Sequence, residues 1–168
     1  GAIERRTVDA RRRSARIGAE ELARCLNRRS RRQRAAGDPE FPAGPYDSPS
    51  GLSRPDKQFG EGMTEEVVAD TIAAFAKAAA EAKRMGYEAV ELHGAHGYLI
   101  DQFFWDGTNV REDAYGSKEL TGRARFAADI LKAVRKAVGP DYPIIIRISQ
   151  WKQQDYAVKL AHDPKALE

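Results

Sequence analysis

Glu91-Leu92-His93-Gly94-Ala95-His96-Gly97-Tyr98-Leu99-Ile100-Asp101-Gln102-Phe103 places two histidines and a tyrosine within six residues. The stretch follows Tyr87-Glu88-Ala89-Val90-Glu91-Leu92, a short apolar run that reads as a β-strand. Polar groups gathered at the C-terminal end of a strand are what parallel α/β proteins use to hold a small ligand. The reading of this one stretch therefore sets both the expected fold class and the candidate site.

Upstream, Thr64 is suited to cap a helix, and Glu65 and Glu66 suit the positive end of its dipole. Val68, Ile72, Phe75 and Ala79 recur on one helical face, Lys83 and Arg84 fall in the last turn, and Gly86 supplies a stop. Downstream, a long polar loop is expected from His93 to about Leu120, with a short helical turn over Tyr98–Phe104. A second helix is expected over Gly122–Val138, with Phe126, Ile130 and Val134 on one face and Gly139-Pro140 at its end. Pro143-Ile144-Ile145-Ile146-Arg147-Ile148-Ser149 then reads as a fully buried parallel strand. Asp163-Pro164 fits the cap and first position of a further helix. Alternating helices and strands predict parallel strands joined by helical crossovers, with catalytic loops beyond the strand C-termini.

The 168 residues, 42% of them hydrophobic, suffice for one modest core. The formal charge of +3 hides an asymmetry: residues 1–40 hold twelve Arg, no Lys and six acids, net +6, and residues 41–168 are net −3. Residues 1–46 are poor in large apolar side chains, so low order is expected there, apart from a thin helical stripe between Ala15 and Leu26. Residues 37–56, with five prolines, read as an extended loop or linker. The lone Cys25 excludes an internal disulfide and a cysteine metal cluster. No apolar run approaches the roughly 20 residues of a membrane helix. No secretory signal is visible, and a cytoplasmic location is expected.

The stretch around His93 belongs to a longer ordered series. The series comprises Ser48-Pro49-Ser50-Gly51-Leu52, Met63-Thr64-Glu65-Glu66, Val90 to Phe103, Thr108-Asn109-Val110-Arg111-Glu112-Asp113-Ala114-Tyr115-Gly116, Arg123-Ala124-Arg125-Phe126 and Arg147-Ile148-Ser149. In content, order and spacing it resembles the old yellow enzyme family, the FMN-dependent NAD(P)H:flavin oxidoreductases and ene-reductases. The resemblance implies a (β/α)8 TIM barrel with FMN at its C-terminal mouth, of which residues 47–168 would supply about strands four and five with their helices. It implies that NAD(P)H reduces FMN, and that hydride then passes to a small electron-poor alkene conjugated to a carbonyl or nitro group. His93 and His96 match the pair that hydrogen-bonds the substrate oxygen, Tyr98 the proton donor, and Arg147 a strand-five arginine at the flavin ring. No metal is implied.

Each assignment has a structural alternative. His93 and His96 also suit a loop turn, and Tyr98 a packing role with its hydroxyl satisfied. Arg147 within an apolar strand needs an acceptor, which a ligand would supply. Asn109, Arg111, Asp113 and Tyr115 read as loop-ordering, with an Arg111–Asp113 pair, and Trp105 and Trp151 suit either the mouth or packing. Two positions depart from the family pattern: Ser117 stands where glycine usually repeats after Gly116, and Gly122 where a side chain is common. Extent departs too, since a barrel of this class needs about 250 residues. A fragment with exposed strand edges, prone to self-association, is therefore expected. The alternative for the whole chain is a binding protein whose basic arm contacts nucleic acid or acidic surfaces, through phosphates and without aromatic platforms.

Overall fold

Thr64 opens the first long helix as its spacing predicts: its hydroxyl accepts the Val67 N–H at 3.2 Å. The computed structural model describes residues 47–161. In chain order these form strands β1 (Leu52–Arg54) and β2 (Lys57–Gln58), helix α1 (Glu65–Arg84), strand β3 (Val90–His96), helices α2 (Leu99–Phe104), α3 (Leu120–Arg123) and α4 (Arg125–Val138), and strand β4 (Ile144–Lys152). The expectations for the basic segment, for a helix at Ala15–Leu26 and for a helix start at Asp163 lie outside the described residues.

β3 and β4 pair in parallel, from Val90↔Ile144 to Gly94↔Ile148, and α1 and α4 pack side by side on one face of that pair. The apolar stripes explain this placement. Val68, Phe75 and Ala79 of α1, and Phe126, Ile130 and Val134 of α4, are buried against Val90 and Leu92 of β3. Ile144 and Ile146 of β4 pack on the same cluster. Phe103 from α2 stacks on Phe126 with ring centres 3.9 Å apart, and Tyr115 meets both rings edge-on. This closes the helix layer over the loop that carries the candidate site.

Five features differ from expectation. The first strand begins at Val90, not Tyr87, because Tyr87 N–H still donates to Ala82 C=O in the turn that ends α1. It runs on to His96, because parallel pairing with β4 carries it through the histidines. The helix expected from Gly122 starts as the separate short α3, whose buried Arg123 donates to the carbonyls of Phe104, Ser117 and Lys118. β4 is not fully buried: Ile145 is 52% exposed because α1 and α4 cover one face only, and Ile148, near the end of the strand, is 55% exposed. Finally, residues 52–58 form a small antiparallel hairpin within the presumed linker, turned at Pro55-Asp56 with Asp56 at φ +58°.

The long loop is ordered by the residues expected to order it. Asn109 donates to the carbonyls of Phe103 and Tyr115 at 2.8 and 2.9 Å. Arg111 pairs with Asp113 and also donates to the Pro49 and Met63 carbonyls, tying the segment before α1 to the loop. That partner holds the Asp113 carboxyl below its ordinary range.

Candidate active site

Strand alternation decides which side chains meet. Val90 and Leu92 face the helices, so Glu91 and His93 project from the opposite face of β3. On β4, Ile145 and Arg147 share that open face, and the register sets Arg147 directly beside His93. Arg147 forms an ion pair with Glu91, with Nε 3.1 Å from Oε1. The acceptor that a guanidinium in this strand requires is therefore present within the chain. About 40% of the Arg147 side chain stays exposed, so it retains donor capacity toward a ligand.

Past Gly94 the strand register shifts, and His96 adopts φ +64°, followed by Gly97 at +84°. A non-glycine residue in the left-handed region costs energy and is held only by its surroundings. Here Ser149 Oγ accepts the His96 N–H at 2.9 Å, and the His96 carbonyl accepts the Gln153 N–H at 3.1 Å. At φ +84° a side chain on Gly97 would be strained, and its Cβ, 1.9 Å from Gln154 Oε1, would displace the Gln154 amide. The Gly97 N–H donates to Asp101 Oδ2 at 2.6 Å, and Lys152 Nζ donates to Asp101 Oδ1 at 2.8 Å. Both members of this ion pair are fully buried. Burial pushes the Asp101 carboxyl up, against the pull of Lys152 and the Gly97 amide.

The turn brings the predicted side chains together. The His93 ring centre lies 5.5 Å from that of His96 and 5.1 Å from that of Tyr98. Tyr98 is exposed rather than packed in the core. Burial, helped by the Arg147 charge, lowers the His93 pKa, so its ring is neutral at pH 7 and presents one N–H donor. Nδ1 of His93 and of His96 is buried without a hydrogen-bond partner. Such atoms mark a place where a ligand or water completes the bonding. Trp151 stacks on His96 with centres 4.0 Å apart, whereas Trp105 is buried.

Sequence reading singled out His93, His96, Tyr98 and Arg147, and one open corner of the β3–β4 pair holds all four. It missed Glu91, Asp101, Ser149 and Lys152 as supports. Lys152 gave no local signal, because Gln150-Trp151-Lys152-Gln153 reads as exposed loop and its partner is 51 residues away. Asp101, four residues after Gly97 in the first turn of a short helix, carried a readable one. Among the described residues no three His, Cys, Asp or Glu side chains gather to hold a metal. No described helix is long and apolar enough to cross a membrane.

Comparison with known proteins gives this corner a context. The profile of the NADH:flavin oxidoreductase / NADH oxidase family matches residues 25–163, so the match begins inside the basic segment. A metal reductase of Desulforamulus reducens is 47% identical over 98 residues, 56% of this chain and 14% of that protein. An NADPH dehydrogenase of Halalkalibacterium halodurans is 41% identical over 106 residues, 63% of this chain and 30% of that protein. Among solved structures, morphinone reductase in complex with tetrahydroNAD superposes with a TM-score of 0.62 at 25% identity, over 74% of this chain and 38% of that one. The chain thus spans about a third or less of the length of these two curated relatives.

Proposed function

Because the chain belongs to the NADH:flavin oxidoreductase / NADH oxidase family, we propose that it carries the substrate corner of an FMN-dependent oxidoreductase that reduces electron-poor alkenes with NAD(P)H. On this reading β3 and β4 are the fourth and fifth strands of a (β/α)8 barrel, and the open face of the pair is the barrel's interior. The observation that carries the proposal is the convergence of His93, His96 and Tyr98 at the end of β3, beside Arg147 of β4.

The residues present fit one end of such a cofactor. Arg147 keeps exposed donors beside Glu91, suited to the polar edge of a flavin ring, and His93, whose Nδ1 is unpartnered, is its neighbour in register. Bound FMN would supply the hydride, taken from NAD(P)H. As hydride reaches the β-carbon, negative charge gathers on the substrate's carbonyl or nitro oxygen. N–H donors from His93 and His96 bind and stabilise that oxygen, and a turn locked by Ser149, Gln153 and Asp101 needs no reorganisation to do so. The Tyr98 hydroxyl then gives its proton to the α-carbon, which completes addition of two hydrogens across the C=C bond.

Titration of FMN fluorescence with the full chain tests the cofactor part. Saturable quenching is expected, weakened about tenfold or more in Arg147→Ala, consistent with loss of a charged hydrogen bond. Tyr98→Phe should lower turnover of an enone with NADPH about 10²- to 10⁴-fold while leaving FMN quenching intact. Absence of saturable quenching by folded protein would remove the proposal for this chain.

A further inference from the structure

The His96 ring lacks the usual means of orientation. A histidine in a binding site is ordinarily aimed through its second ring nitrogen, which bonds a carboxylate or a carbonyl. Nδ1 of His96 is buried, yet among the described residues nothing bonds it. Ser149 Oγ and the Gln153 N–H fix the His96 main chain, not its ring. Rotation about the bond to an imidazole ring is broad when nothing constrains it. His93 meets the ring edge-on, at 5.5 Å and 63°. The parallel face contact comes from Trp151, whose ring centre lies 4.0 Å away with 21° between planes. Tyr156 stacks on Trp151 in turn, at 5.4 Å and 30°. The indole is thus enclosed between two rings and serves as a support. Its own place is fixed from the backbone. Ser149 Oγ donates to the Trp151 carbonyl at 2.9 Å, and the next residue, Lys152, is buried and paired with Asp101. Asp155 N–H donates to the Lys152 carbonyl and Asp155 Oδ1 accepts the Ala157 N–H, which holds the turn that carries Tyr156.

We infer that Trp151 is a positioning residue: its indole, backed by Tyr156, sets the plane in which His96 donates to the substrate oxygen. This rests on the substrate reading of His93 and His96. A hydrogen bond weakens steeply as its donor turns off line. Without the indole the His96 ring swings, and its N–H is aimed at the oxygen only part of the time. His93, set beside Arg147 by the regular pairing of β3 with β4, keeps its own donor. Loss of one such hydrogen bond corresponds to about three- to tenfold in affinity.

The test uses the full chain, labelled for NMR and free of flavin and nicotinamide, titrated with 2-cyclohexenone. His93→Gln and His96→Ala assign the ring C–H signals among the three histidines of the chain. In the native chain the enone is expected to move the signals of both His93 and His96. In Trp151→Leu its affinity should fall about three- to tenfold, with the His93 signals still responding and the His96 signals moved toward their free position. Trp151→Phe should restore most of the affinity, and Tyr156→Ala should lose part of it. Hydrogen exchange at the Gly97 and Gln153 amides should stay as slow as in the native chain, showing that the turn itself is intact. In a His96→Ala background, Trp151→Leu should cost no further affinity, because the indole acts through that ring. An unchanged affinity in Trp151→Leu, an equal loss with and without His96, or fast exchange at both amides would overturn the positioning role and leave the substrate reading standing. Histidine signals that ignore the enone in the native chain would overturn both.

Discussion

His93 sets the behaviour of the site in acid. Burial and the neighbouring Arg147 lower its pKa in the folded chain below the ordinary 6.5. The unfolded chain therefore takes up the proton first on acidification. The stability tied to this neutral ring is full above about pH 6.5 and is lost as pH falls from there toward the folded pKa. Urea denaturation at pH 8, 6.5 and 5 should show a steeper acid loss for the native chain than for His93→Gln; equal slopes would mean that the ring is not held neutral. Asp101, whose carboxyl burial pushes up, behaves in the opposite sense. In Lys152→Met, Asp101 is left buried without its cation, at a cost of about 3–5 kcal/mol near neutral pH. A carboxyl whose folded pKa is raised favours folding below its unfolded pKa and loses that contribution as pH rises through the folded one. The variant should thus regain stability toward acid, and Asp101→Asn with Lys152→Met should recover most of the loss at pH 7. A Lys152→Met deficit that does not change between pH 5 and 8 would contradict this account.

At the scale of elements, the junction between the long loop and α3 explains the two departures from the family pattern. A Cβ on Gly122 would lie 2.4 Å from Ser117 Cβ and 2.5 Å from its Oγ, so the added side chain at one position occupies the space vacated at the other. Ser117 Oγ also accepts the Glu119 N–H at 3.0 Å, just before α3. Gly122→Ser alone should cost about 1–3 kcal/mol through overpacking, and Ser117→Gly with Gly122→Ser should give back more than half of it. Thermal melts of both singles and the double measure the coupling, and strictly additive shifts would show that the two sites do not touch. Sequence alone exposed each departure but not their contact, which depends on how the loop folds back. The same division holds elsewhere. The faces of α1 and α4 were legible because apolar spacing states them directly. The histidine corner was legible from its residue types and from the ordered motifs around it. The end of β3 was not, since Gly94-Ala95 breaks the alternation and only pairing with β4 extends the strand. Glu91 as the partner of Arg147, and Lys152 as the partner of Asp101, depend on register across more than fifty residues, which no local pattern encodes.

For the whole molecule, one face of a two-stranded parallel sheet is packed and the other is open. Ile145 on the open face and Ile148 near the strand end are both more than half exposed, and among the described residues each strand has an unpaired outer edge. Unpaired edges beside exposed apolar side chains favour pairing between copies. Sedimentation velocity across a range of protein concentrations should therefore show association. Ile145→Lys with Ile148→Lys should reduce it, by placing charge where a partner sheet would dock. Salt separates this cause from the Arg-rich segment, whose net +6 would drive contacts with the net-acidic remainder. Such charge contacts weaken as the screening length falls to about 3 Å at 1 M salt, while apolar docking persists or strengthens. Association that survives 1 M salt and falls in the lysine variant assigns it to the sheet. Association abolished by salt and by deletion of residues 1–40 would assign it to the basic segment instead, and a chain monomeric at every concentration would show that the open face of β4 is not an adhesive surface.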